Sequence, residues 1–118
     1  MNTRYTGRHG ELMAKKYLAG KGYDIIEVNY VTKLGEIDII FTDDKYLIFG
    51  EVKYRANTRF GPPAEAVTYE KQRRISKAAS LYISRHDLYN VPVRFDVIEI
   101  LGDGINHIKN AFDSYLKY

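Results

Sequence analysis

Asp38, Glu51 and Lys53 are the residues whose types and spacing can do chemistry together. Glu51 and Lys53 stand two apart at the end of an apolar run, Tyr46-Leu47-Ile48-Phe49-Gly50, so in a strand they share one face. Charges in a buried strand are costly unless something compensates them. Asp38 lies in a second apolar run, Ile37-Asp38-Ile39-Ile40-Phe41, and the polar cluster Thr42-Asp43-Asp44-Lys45 between the two runs suits a hairpin turn. A turn centred between Asp44 and Lys45 sets Asp38 directly opposite Glu51, with Cβ atoms about 4.5–5.5 Å apart. Like charges at that separation repel unless a cation lies between them. Two carboxylates, with the Val52 carbonyl as a further oxygen, select a hard ion such as Mg²⁺ or Mn²⁺, which polarises a phosphoryl oxygen and lowers the pKa of bound water. Lys53 can then orient that water or stabilise charge developing on phosphorus. The competing reading is a salt-bridged Glu-Lys pair at a sheet edge, because a bare D…ExK spacing is common.

These side chains need elements to hold them, and the apolar periods predict the order α-β-β-β-α-β-β. Met13, Ala14, Tyr17 and Leu18 form a stripe within a helix over residues 9–20, stopped by Gly20 and Gly22. Glu11 falls about 20° from Leu18 on the helical wheel, at the border of that stripe, where it either completes the metal shell or stays a surface glutamate in the first turn. A first strand covers residues 23–30, two longer ones cover 37–41 and 46–54, and residues 55–63 form a loop broken by Gly61, Pro62 and Pro63. Thr68 is the expected N-cap of a second helix reaching Arg85. Val91–Leu101 and Ile105–Ile108 then close the chain as a second hairpin. On the second helix Lys71 and Gln72 fall at about 300° and 40° from Thr68, inside the apolar stripe, so both need polar partners such as an active site or a bound phosphate. Arg73, Arg74 and Lys77 point outward, and Leu81, at about 220°, marks a contact for a homodimer.

With 118 residues, 45% of them hydrophobic, the chain fits one domain spanning 1–118. There is no cysteine, so disulfides and thiolate metal sites are excluded. The apolar runs are far shorter than the roughly 18 residues that span a bilayer, and no apolar signal-peptide segment is read at the N-terminus, so a cytoplasmic protein is expected, with no membrane partner. The net charge of +3 is unevenly spread: residues 53–85 carry eight basic side chains against Glu65 and Glu70. Arg55, Arg59, Gln72, Arg73, Arg74 and Lys77 are the expected nucleic-acid contacts, with a plain solvated helix face as the alternative for each cation.

Gly10-Glu11, Gly35-Glu36-Ile37-Asp38, Glu51-Val52-Lys53-Tyr54-Arg55, Gly61-Pro62, Ala66-Val67, Lys71 and Arg94-Phe95-Asp96 follow an order that resembles the YraN-like family of small bacterial proteins. That family resembles a branch of the PD-(D/E)XK nucleases, similar to archaeal Holliday junction resolvases, and the likeness covers nearly the whole chain. It implies an α/β, restriction-endonuclease-like fold with a central mixed sheet flanked by helices. It also implies Asp38 and Glu51 as metal ligands, Lys53 as the catalytic lysine, and Glu11 and Lys71 as accessory residues. Two positions depart from the pattern: Gly50 replaces a bulky aliphatic, which is expected to loosen the central strand, and Val31-Thr32-Lys33 lacks an arginine, leaving Lys33 as the phosphate contact.

Three functional readings follow. The first is a Mg²⁺- or Mn²⁺-dependent endonuclease or junction-processing enzyme acting on DNA, branched or linear. The second is a binding module that keeps the nuclease fold without cutting. The third is an RNA-binding or ribosome-associated protein, to which the 11 tyrosines contribute base stacking or, equally, core packing.

Overall fold

Alternating apolar side chains give one sheet two buried faces, and a helix covers each. The computed structural model describes residues 3–55, 67–102 and 104–113. Its elements run α1 (Thr3–Gly20), β1 (Asp24–Val31), β2 (Glu36–Thr42), β3 (Leu47–Arg55), α2 (Tyr69–Arg85), β4 (Val93–Leu101) and β5 (Gly104–Ile108). This is the expected order, and the fold is α/β. The five strands lie in sequence order across the sheet. All neighbours are antiparallel except β3 and β4, which are parallel and joined through α2. The sheet is therefore mixed, with β3 at its centre.

On one face Ala14 and Leu18 of α1 pack against Ile39, Phe41, Ile48, Ile98 and Ile100. On the other, Ile75, Ala78, Ala79, Tyr82 and Ile83 of α2 pack against Ile40, Leu47, Phe49, Phe95 and Val97. Glu51 and Lys53 keep the parity of Leu47 and Phe49, so they belong to the α2 side. Tyr30 and Tyr82 meet edge to face at 5.3 Å within that core, which accounts for part of the tyrosine count.

The β2–β3 register follows the turn as expected, through Thr42–Leu47, Phe41–Ile48, Ile40–Phe49 and Ile39–Gly50. Asp43 builds the turn: its Oδ1 accepts from the backbone N–H groups of Lys45 at 2.8 Å and Tyr46 at 2.6 Å. Those two donors hold its carboxyl below the usual carboxylate range. Gly50 does not leave slack in β3. The space beside its Cα is filled by Ile39 and the Phe41 ring, which a Cβ would press at 2.9 and 3.0 Å. At the turn end of the sheet β4 begins at Val93 rather than Val91, because Pro92 has no N–H for the ladder and only its carbonyl pairs, with the Leu47 N–H at 2.9 Å.

Arg94-Phe95-Asp96 ties the sheet together away from the paired acids. Asp96, fully buried, accepts from Arg94 Nε and Nη2 at 2.8 Å each and from the Asn110 N–H at 2.9 Å, and meets His107 Nε2 at 2.7 Å. His107 Nδ1 lies 3.1 Å from the Tyr17 hydroxyl on α1. Burial alone would raise the Asp96 pKa, but the His107 and Arg94 contacts outweigh it and the carboxyl stays below its ordinary range. Removing one partner of such a buried charge set leaves the others uncompensated. Asp96→Ala is therefore expected to cost roughly 3–5 kcal/mol in urea unfolding, against less than about 1 kcal/mol for an exposed substitution such as Lys77→Ala.

Candidate functional site

The hairpin ladder ends at Ile39–Gly50, and one step further β2 and β3 separate with Asp38 and Glu51 facing each other. The Val52 N–H, left without a strand partner on that side, donates to Asp38 Oδ2 at 2.8 Å. The N–H and C=O of one strand residue point to the same edge, so the Val52 carbonyl opens into the same gap. Glu51 is 4% exposed. Burial, then the neighbouring Asp38 charge, push its pKa up to about 7, against which Lys71 works in the other direction. The Lys71 ammonium forms an ion pair with Glu51 Oε1. Burial disfavours its charge, but Glu51, Asp38 and Glu36 together outweigh that, and the ammonium pKa is raised.

The expected partner for Lys71 is therefore Glu51. Thr68 caps α2 by accepting from the Lys71 N–H at 3.2 Å, which sets the helix start beside the acids. Gln72 turns its amide to the Val67 carbonyl, Nε2 donating at 2.9 Å. Lys53 lies half-buried on the α2 side, next to Glu99 in the parallel register, and Glu99 is fully buried on that face. Arg73, Arg74 and Lys77 are exposed on the outer side of α2, and Arg74 pairs with Glu70 at 2.7 Å. Leu81, half-buried, lines a groove on that side. Arg55 ends β3, with its side chain outside the described residues, as is Arg59.

Glu11 bonds to Asn29 of β1. Its Oε1 accepts from Asn29 Nδ2 at 2.5 Å, and Asn29 sits between the pairs Val28–Ile39 and Tyr30–Ile37, at the level of Asp38 on the next strand. Asn29 has φ +52°, a conformation asparagine tolerates better than most residues. Its residue type was the only sequence signal for this role. Gly35 and Glu36 were also legible only as motif members. A Cβ on Gly35 would overlap the Arg74 carbonyl, so the glycine lets α2 press onto the β1–β2 turn and brings Lys71 to the acids. Gly35→Ala is expected to cost about 1–3 kcal/mol in thermal unfolding through that overlap.

Among the described residues, no three side chains of His, Cys, Asp or Glu type converge on one point. The donor set is Asp38, Glu51 and the Val52 carbonyl, all oxygen. It fits a hard divalent ion that keeps several waters, and buried Glu51 with half-buried Asp38 already draws a cation, the Lys71 ammonium.

Residues 10–100 match the family model described as uncharacterised protein family UPF0102. The chain belongs to the UPF0102 family. This is the YraN family that the sequence motifs resemble. A UPF0102 protein of Clostridioides difficile (strain 630) is 49% identical over 114 residues, 95% of this chain and 100% of the relative. A UPF0102 protein of Lachnoclostridium phytofermentans is 47% identical over 116 residues, 98% of each chain. One from Persephonella marina is 42% identical over 107 residues, 91% of this chain and 92% of the relative. The segment matched to UPF0102 contains Asp38, Glu51, Lys53 and Lys71, and ends within β4. Among the described residues no helix is long and apolar enough to cross a membrane.

Proposed function

We propose that this chain is a metal-dependent DNA endonuclease. The observation that carries the reading is the pairing of Asp38 with buried Glu51 where β2 and β3 part, with the Val52 carbonyl opening into the gap and Lys53 on the same face as Glu51. Asp38, Glu51 and the Val52 carbonyl would hold Mg²⁺ or Mn²⁺, which supplies Lewis acidity at a phosphoryl oxygen and an acidified water. Water adds to phosphorus and one backbone P–O bond breaks, leaving a hydroxyl and a phosphate monoester. Lys53 and Lys71 face the negative charge that grows on the phosphoryl oxygens in that step. Glu11 holds Asn29, which stands at the level of Asp38 on the neighbouring strand. Arg73, Arg74 and Lys77 add sequence-independent attraction for a polyanion.

A non-cutting DNA-binding module draws on one observation, the Lys71–Glu51 ion pair, which serves equally as a structural closure of the acids. A panel of linear, flapped, single-stranded and four-way DNA, incubated with Mg²⁺ or Mn²⁺, separates the two. The nuclease reading expects cutting that stops in EDTA. DNA that is bound and never cut would favour the binding module.

A further inference from the structure

We propose that Leu34 is a wedge that enters an opened base step of bound DNA, so that the preferred substrate carries an interrupted base stack. This rests on the DNA reading of the site and adds its substrate class. Leu34 stands on the β1–β2 turn, 49% exposed. The turn is braced: Thr32 Oγ1 accepts from the N–H groups of Leu34 and Gly35 at 3.1 Å each and donates to the Gly35 carbonyl at 2.7 Å. Gly35 is pressed onto the α2 backbone at Arg74. Leu34 is thus held on a rigid support. With exposed Val31 and half-buried Leu81 it forms an apolar strip in a groove between this turn and the outer side of α2. Lys33, Lys77 and Arg85 rim that groove, and it continues past Arg74 to Lys71 and Glu36, beside the acids. Cations around an apolar strip fit a polyanion whose bases present apolar faces, and leucine is among the side chains that part base steps. Asp38 is four steps along the chain from Leu34, at most about 13 Å when extended. The cut then falls within about four nucleotides of the opened step.

The test is anisotropy binding in Ca²⁺ to a forked duplex and to a fully paired duplex of the same sequence. Wild type is expected to prefer the fork by about tenfold, the mean stacking free energy of one base step. Leu34→Ala should erase the preference with the salt slope unchanged, and Leu34→Phe should keep it. A preference retained in Leu34→Ala overturns the wedge while DNA binding stands. No binding of either DNA by wild type overturns the DNA reading and the wedge together. A wild-type dimer that Leu34→Asp dissociates would show a second copy covering this face, and would also overturn the wedge.

Discussion

Lys53→Ala is expected to lower the single-turnover rate of DNA cleavage by about 10²–10³-fold, the usual loss when one preorganised donor to a transition state is removed. Its effect on binding should be small, since an interaction made mainly in the transition state leaves the ground-state complex almost untouched. Lys53 lies half-buried beside the acids, so few phosphates of a long DNA reach it. The exposed cations of α2 predict the opposite pattern. Neutralising Arg73, Arg74 and Lys77 together should flatten the salt dependence of affinity by about one unit of slope per lost phosphate contact, while the rate at saturating protein changes little. Salt titrations of binding and saturating single-turnover kinetics check both. Lys53→Ala that cuts at the wild-type rate would place the chemistry elsewhere.

In the metal-free protein, stability should fall as pH rises from 5 to 8. Glu51 has its pKa raised from about 4.5 to about 7 by burial and then by Asp38, so the folded state holds its proton more tightly than the unfolded chain does. That contribution is complete below the unfolded value and is lost as pH rises through the folded one. It amounts to roughly 3 kcal/mol across the window. Lys71 does not compete, because its raised pKa acts only above the ordinary lysine range, and Asp96 acts only in acid. Urea melts in EDTA at pH 5, 6, 7 and 8 should show the decline in wild type and a nearly flat profile in Glu51→Gln. A flat wild-type profile would mean that Glu51 is not held as a buried, repelled acid.

Much of this arrangement was legible in the chain because it depends on local chemistry. The Thr42–Lys45 cluster fixes a short turn, and the turn dictates that Asp38 opposes Glu51. Thr68 and the apolar stripe of α2 set the phase that turns Lys71 inward and Arg73, Arg74 and Lys77 outward. What was not legible depends on contacts between distant elements. α1 begins at Thr3 rather than near residue 9. The expected looseness at Gly50 disappears because Ile39 and Phe41 fill the space, and no pattern along β3 alone reports its neighbours. The bond from Asn29 to Glu11 spans 18 residues and joins β1 to α1, and the Asp96–His107–Tyr17 set joins β4, β5 and α1. Gly35 could be read as a turn residue, but its close approach to Arg74 exists only once α2 is docked.

If Asp38 and Glu51 hold a divalent cation, calorimetric titration of the protein with Mn²⁺ or Mg²⁺ reads it without any need for activity. Wild type should bind one ion, with affinity rising about tenfold per pH unit below pH 7, as each ion must displace the Glu51 proton, and levelling above it. Asp38→Asn should abolish that binding. Equal affinity and pH dependence in wild type and Asp38→Asn would remove both acids from any cation site between them.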